Sequence, residues 1–399
     1  MKKTFLASTL GLAALGAHAQ SSVTLYGIVD TGIGYQSSSA ALGSNAGGRS
    51  LVKMAQGVWA GSRFGLKGAE DLGGATRAIF QLEEGFNSAT GAEQTTGLMF
   101  SRTAFVGVAN ANYGTLTAGR QYAPYYTLLS PYSPTTWLTG AYGAHPGDLD
   151  SMDTIYRINN ALIYTSPNFS GLTVSGMYAL GGVAGSTGAG QSWSVAAQYL
   201  HGPAGIAVGF ERLDNSTSGG GAWGANSTAS SNGEPGLSAI TNGFREAAAQ
   251  QRFAVTAGWQ FSPRWDISVA YSNVQYIAGT GSNFADTQIW NTGGVVLHYK
   301  PFTTLDLAAG FSYTRATRAN GIESAATYAQ YNLSQYYTLS KRTGLYFVEA
   351  YQRAGGQTLG NNGLGNIINA TADIGDGQNS APSSSRSQVA GAIGIVHRF

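Results

Sequence analysis

The chain has 399 residues, a mean hydropathy of −0.07, 22 basic against 20 acidic side chains and no cysteine. Charge this evenly balanced gives no general preference for nucleic acid or acidic surfaces. Few charges at this hydropathy argue against disorder, and the absence of cysteine excludes disulfides and thiol chemistry.

In chain order, residues 1–19 read as a secretory leader. Lys2 and Lys3 form its charged region, Phe5 to Leu15 its apolar core, and Ala17-His18-Ala19 its cleavage site. The apolar core is too short for a spanning helix, which needs about 20 residues. A single domain over 20–399 is expected to follow, with a net charge near zero once both lysines are removed. Period-2 alternation then recurs to the C-terminus, starting with Val23–Tyr35. Seven short turn signals punctuate it: Gly68–Gly74, Asn110–Gly114, Ser166–Gly171, Gly202–Gly205, Ser262–Trp265, Lys300–Thr304 and Ser340–Gly344. Between the hairpins they define lie much longer stretches rich in Gly, Ser and Asn, such as 36–57, 121–154, 214–249 and 354–385.

Seven hairpins plus Val23–Tyr35 and Arg386–Phe399 make sixteen strands, an even number, with both termini on the short-turn side. Ten residues at roughly 3.3 Å each, tilted by about 45°, cover roughly 23 Å. That is close to the apolar band of about 25 Å that outer-membrane barrels present to lipid. The reading is all-β: a sixteen-stranded antiparallel transmembrane β-barrel, wide enough for an aqueous lumen. The clearest strand is Arg252–Phe261. Phe253, Val255, Ala257, Trp259 and Phe261 share one face, while Arg252, Thr256 and Gln260 share the other. Aromatics near strand ends suit interfacial girdles: Tyr26, Tyr35, Trp59, Trp193, Trp259, Trp265, Tyr299, Phe302, Phe347 and Phe399.

Strand parity sorts the charges. Phe64 and Leu66 claim the lipid side, which sends Arg63 and Lys67 to the lumen. Phe80 and Leu82 likewise send Arg77, Gln81 and Glu83 inward. Thr103 and Phe105, taken as outward, place Arg102 inside. Asp30 is assigned to the lumen wall. Arg120 shares the outward parity of Leu116 and Ala118, and Arg157 has a less clean parity. A charge facing lipid costs about 2–4 kcal/mol at the midplane, so a mid-strand arginine belongs in water.

Several segments resemble the general porins of Gram-negative bacteria, most closely the β-proteobacterial branch. They are Val23-Thr24-Leu25-Tyr26-Gly27, Ser62–Gly68 with Glu70-Asp71-Leu72-Gly73-Gly74, Phe100–Gly107, Tyr113–Leu116 leading to Gly119-Arg120, Tyr164–Gly171, and His397-Arg398-Phe399. The resemblance implies a homotrimer of barrels in outer-membrane lipid, with the third long loop (about 121–154) folded inward as a constriction. It implies passive diffusion of small hydrophilic solutes and ions. It also implies a C-terminal strand ending in Phe399 that the barrel-assembly machinery reads. Arg63, Arg102 and Arg157 match the family's basic cluster, Glu83 a wall acid, and Arg120 the trimer contact or a loop latch. The loop lacks the Pro-Glu-Phe-Gly turn of enterobacterial relatives. Its acids are Asp148, Asp150 and Asp153, and the residues do not decide which reaches the pore. The wall's excess of Arg63, Lys67, Arg77, Arg102 and Arg157 over Glu83 and Asp30 leans towards weak anion selectivity.

Catalysis finds no support. Of His145, His201, His298 and His397, His201 sits at a short turn and His397 at the chain end, so neither has an evident partner, and no nucleotide or zinc motif is present. His145 with Asp148, Asp150 and Asp153 has metal-ligand residue types but reads as a solvated loop, so neither metal nor cofactor is expected. Alternative readings are a substrate-specific channel, an adhesin barrel and a secreted β-sandwich. The first wants an aromatic track in the lumen, for which Tyr122, Tyr125, Tyr126 and Trp137 are the local residues.

Overall fold

The computed structural model describes residues 22–153, 156–229, 237–376, 379 and 382–399, apart from the side chains of Trp137 and Leu138. The expected leader, 1–19, lies outside the described residues. In chain order the strands are β1 (Ser22–Ser39), β2 (Arg49–Gln56), β3 (Arg63–Gly73), β4 (Thr76–Gly85), β5 (Thr103–Asn110), β6 (Gly114–Gln121), β7 (Ile158–Thr165), β8 (Leu172–Ala179), β9 (Ser192–His201) and β10 (Ala204–Asp214). They continue as β11 (Ala249–Ser262), β12 (Trp265–Ile277), β13 (Gln288–Phe302), β14 (Leu305–Ala316), β15 (Thr327–Thr338), β16 (Thr343–Gly355), β17 (Gln357–Leu359), β18 (Ile367–Asn369) and β19 (Ser387–Arg398). β17 and β18 form a small hairpin inside the last long loop.

All the others close one antiparallel sheet. β2 and β3 both pair with β1 and flank a break at 57–62, so they form one stave and the barrel has sixteen. Closure is made where β19 lies between β16 and β1, with Val29 opposite His397 and Gly34 opposite Ala392. Gly27 and Phe399 exchange backbone hydrogen bonds of 3.1 and 3.0 Å. A Cβ on Gly27 would come within 2.3 Å of the Phe399 ring, so only glycine lets that ring lie across the seam.

Short connections at one end join the staves as the turn signals predict, and local chemistry explains them. Gly73 and Gly74 both take positive φ. The Ser262 hydroxyl accepts the N–H groups of Arg264 and Trp265, and Asn168 Oδ1 accepts the Gly171 N–H at 2.8 Å. At the other end the first long connection is shorter than the expected 36–57. β1 runs on to Ser39 and β2 starts at Arg49, because pairing continues across a register shift between Gln36 and Ser39 and extends both strands beyond what composition signals.

Outward positions are apolar and exposed: Phe253, Trp259, Val269, Leu333, Phe347 and Ile393 among them. Inward positions are polar and covered by loops. Arg252 donates to the Leu149 carbonyl at 3.2 Å, and Thr256 donates to that of Leu129 at 3.0 Å. Between wall and loops sits an interior apolar cluster that includes Tyr125, Leu129, Tyr156, Phe244, Tyr276 and Trp290.

Three orientations differ from the sequence reading. Tyr26, expected in a girdle, faces the lumen and donates to Glu83 Oε2 at 2.8 Å; it shares the inward parity of Asp30. Trp59 also leaves the girdle. It lies in the break, stacked on Tyr336 at 4.7 Å and near Tyr346 at 5.8 Å, both lumen-facing. In β5 the outward residues are Ala104, Val106 and Val108, register partners of Leu82, Phe80 and Ala78. Thr103 and Phe105 therefore point inward, opposite Glu83 and Gln81.

Asp30 holds the break. Fully buried, its carboxylate accepts the N–H groups of Trp59 (2.7 Å) and Ala60 (2.8 Å) and the hydroxyl of Tyr346 (2.7 Å). Asp30→Ala leaves two N–H donors of the bulge without acceptors. Each costs about 1–3 kcal/mol when buried, so the urea midpoint of the refolded barrel should fall by an amount equivalent to about 2–6 kcal/mol.

Candidate pore constriction

The break at 57–62 narrows the lumen from the wall, and the third long loop narrows it from inside. Pro124 at the first turn starts a short helix, α1 (Pro124–Leu129), without an N–H to satisfy. Its Tyr125 N–H donates to Ser194 Oγ at 3.0 Å. The loop then crosses the lumen until the Ala141 N–H meets the Val58 carbonyl at 2.7 Å. On its return, His145 packs where a Cβ on Gly294 would come within 2.4 Å of Nε2, so a bare glycine on the wall admits the imidazole.

A cavity of about 190 Å³ remains between loop and wall. Arg63, Arg102 and Arg157 line it together with Trp59, Tyr122, Tyr126, Asp153 and Asp376. Arg63 rises from the first residue of β3, and neither a hydrogen bond nor an ion pair engages its guanidinium among the described residues. Arg102 donates Nε to Glu83 Oε1 at 2.8 Å and Nη2 to the Tyr122 hydroxyl at 2.7 Å. Arg157 donates to the same hydroxyl at 2.8 Å and lies 4.7 Å from the centre of that ring. One phenol oxygen thus holds two guanidinium groups side by side. Arg102 reaches the lumen from the end of the preceding loop rather than by the parity used for it, since β5 begins one residue later.

The other sequence-selected residues are distributed as follows. Glu83 sits behind Arg102, bonded to it and to Tyr26. Lys67 faces the lumen 5.3 Å from the centre of the Tyr26 ring, and Arg77 is exposed at the short-turn mouth. Asp30 is covered by the break and does not border the cavity. Arg120 keeps outward parity but is covered: it donates to the Ser101 carbonyl at 2.8 Å and to Asn159, latching the second long loop to the wall. Tyr125 is buried against the wall, whereas Tyr122 and Tyr126 border the cavity.

The three loop acids separate. Asp150 is buried with His145 Nδ1 at 2.6 Å and the Ser272 hydroxyl at 2.7 Å. Burial alone would raise its pKa, but His145, Ser272 and Arg252 outweigh it and hold it below the ordinary carboxylate range. Asp148 is buried and accepts the Asp153 N–H at 2.9 Å; burial and the charges of Asp153 and Asp150 push it well up. Only Asp153 of the three borders the cavity.

Sequence reasoning missed two groups. Asp376, in the last long loop, borders the cavity, and no local signal marks a residue brought there by a loop so distant in sequence. At the short-turn mouth His298 lies between Asp266 (2.8 Å, Nδ1) and Asp306 (2.9 Å, Nε2), with Lys300 3.3 Å from Asp306. All four point inward from β12, β13 and β14, where the lumen parity of those strands, traced from Ser268 and Val296, would have found them. No group of three metal-ligating side chains is placed to hold an ion among the described residues.

A closed sixteen-stranded barrel with an apolar exterior, a polar lumen and an inward loop is a transmembrane channel. The profile of Gram-negative porins matches residues 6–296, and the chain belongs to that family. It is similar to an outer membrane porin of Bordetella pertussis, 31% identical over 88% of this chain and 94% of that one. The outer membrane porin protein 32 of Delftia acidovorans is 34% identical over 45% of this chain and 50% of its own. Among solved structures, an anion-selective porin from Comamonas acidovorans superposes with a TM-score of 0.67 at 24% identity, covering 95% of this chain and all of that one. The trimer form of OmpT from Vibrio cholerae gives 0.64 at 15% identity, covering 95% and 99%. The protein is thus an outer-membrane porin of the β-proteobacterial branch.

Tyr122→Phe removes the acceptor shared by Arg102 and Arg157. Hydrogen bonds from charged donors contribute about 1.5–3 kcal/mol each, so the variant should unfold at a lower urea concentration than wild type. An unchanged midpoint would show that the two guanidinium groups do not depend on that oxygen.

Proposed function

We propose that the protein is a general diffusion channel, weakly anion-selective, whose narrowing is the cavity bordered by Arg63, Arg102 and Arg157. The observation that carries this reading is the guanidinium of Arg63, with no hydrogen bond or ion pair among the described residues, in a polar cavity beside Arg157 and an Arg102 that is ion-paired to Glu83. Fixed charge around a narrow aqueous path sets ion preference. Opposed rows of arginine and aspartate make a transverse field that orients dipolar solutes and disfavours apolar ones. The anion selectivity stated for the Comamonas relative supports the sign. Small hydrophilic solutes and ions cross passively.

The same reading takes the leader as removed on export, 20–399 as one barrel domain, and the working unit as a homotrimer. Trimerisation is supported by the trimer form of the Vibrio relative. Arg120, as a loop latch, steadies the surface near the contact. The strand ending in Phe399 serves as the segment read by the barrel-assembly machinery, consistent with its place at the closing seam. A substrate-specific channel is the second reading, favoured by the stacked Trp59, Tyr336 and Tyr346 inside the lumen.

Planar-bilayer recording of the purified protein in a salt gradient tests the proposal. Conductance should rise in groups of three steps, and the reversal potential should report an anion/cation permeability ratio above one. Arg63→Glu and Arg102→Glu should each lower that ratio. A ratio that neither substitution moves removes these arginines from the narrowing, and silence at high protein concentration removes the channel itself.

A further inference from the structure

At the upper edge of the apolar band, the outer face of β14, β15 and β16 carries an arrangement that the channel does not use. Arg315 on β14 and Arg353 on β16 both have outward parity and are exposed. Neither makes a hydrogen bond or an ion pair among the described residues. Each stands ten positions beyond the first residue of its strand, 305 to 315 and 343 to 353. Ten residues rise roughly 23 Å from the short-turn side, close to the top of a band about 25 Å tall. The neighbouring staves mark the same edge. Asn291, the register partner of Arg315, belongs to an outward chain of amides that runs through Asn273 (2.9 Å) and Gln275 (2.8 Å) to Gln251 (2.8 Å). Apolar outward positions give way to polar ones there, at the level of lipid headgroups.

Between the two arginines the wall is nearly bare. Arg315 lies opposite Thr327 and Arg353 opposite Ala329 on β15, and Thr327 lies opposite Gly355. Strand spacing and rise put the two arginine Cα atoms roughly 12 Å apart, across a seat floored only by small side chains. Directly below, towards the hydrocarbon, Phe311, Tyr331 and Tyr351 form one register row, with ring centroids 5.0 and 6.4 Å apart and all three exposed. Under that row an outward groove of about 440 Å³ is lined by Ala309, Leu333 and Tyr351. Its one charge, Glu349, lies four positions below Arg353, on the side away from Phe311.

We propose that this face binds a lipid of the leaflet on the long-loop side whose headgroup carries two phosphates. Arg315 and Arg353 each hold one phosphate above Thr327 and Ala329, and the acyl chains lie over Phe311, Tyr331 and the groove. Charge complementarity selects this occupant. A guanidinium offers paired, planar donors that match phosphate oxygens, and two of them roughly 12 Å apart suit two phosphates better than one. The nearby loop acids, Asp286 and Glu323, form no ion pair with either arginine among the described residues, and Arg318 beside them offsets one of those charges. A second copy of this chain is the poorer match. On the strands, the outward acids near this level are Glu84, which is buried, and Asp214, which Arg212 holds at 2.9 Å. The inference goes beyond the channel reading and does not depend on it.

The test is native mass spectrometry of the purified full-length protein in detergent, titrated with diphosphoryl lipid A, a glycolipid with two phosphates. Wild type should keep the lipid when released from the micelle. A basic side chain at a charged membrane surface contributes enough that Arg315→Ala and Arg353→Ala should each raise the apparent Kd about fivefold. The double variant should raise it about 25-fold. Ala329→Trp fills the seat while keeping both arginines, and should weaken binding as much as either single variant. Arg264→Ala, exposed at the short-turn mouth, should bind as wild type does. Monophosphoryl lipid A and phosphatidylglycerol, with one phosphate each, should bind wild type about fivefold more weakly. Equal affinity for one and two phosphates, an equal loss in Arg264→Ala, or unchanged binding in the arginine variants or in Ala329→Trp overturns the proposal. None of these outcomes touches conductance, so the channel reading stands or falls separately in the bilayer recordings.

Discussion

Everything in this molecule follows from one constraint: no backbone N–H or C=O can be left unpaired in hydrocarbon. A chain without a long apolar helix among its described residues meets it by pairing every stave with two neighbours and closing the sheet on itself. The seam at β1 and β19 is thus the most consequential contact, since it removes the only two edges. Gly27 under Phe399 shows how closely that seam is packed. Closure also divides side chains by parity, and the polar set is left to enclose water.

A lumen of sixteen staves is too wide to select anything, so selectivity must come from what enters it. Here three devices converge. The wall folds inward at 57–62 under the hold of Asp30, the third loop crosses to meet it at Val58, and the last loop brings Asp376 to the gap. Each is fixed by buried polar contacts rather than by apolar packing alone. The proposed narrowing is consequently a charged aperture whose shape is set by hydrogen bonds among loops. Tyr122 illustrates the economy of this arrangement, since one hydroxyl positions two of the three arginines.

How much could be read beforehand depended on range. The seven short turns were legible because Gly, Pro, Asn and Ser act locally, and the strand count followed from them. Parity was legible where a strand alternates cleanly, as at Phe64 and Leu66. It failed at Thr103 and Phe105, where a phenylalanine faces the lumen and alanine and valine face lipid; the size of one ring misled. Tyr26 and Trp59 were misplaced because aromatic residues serve both girdle and lumen. The break at 57–62 left no signal, as its cause is a carboxylate on the neighbouring strand. Asp376 was invisible for the same reason: long loops carry no period, and their meeting points are set in three dimensions.

The central claim is that apolar parity faces acyl chains and polar parity faces water, and the lack of native cysteine allows it to be tested one residue at a time. Spin labels on single cysteines at Val255 and Thr256, in protein refolded into bilayers, should report opposite environments. The account predicts that oxygen dissolved in lipid relaxes the label at 255 and that a water-soluble nickel chelate relaxes the one at 256. Labels with the reverse accessibilities would contradict the barrel's orientation and everything built on it.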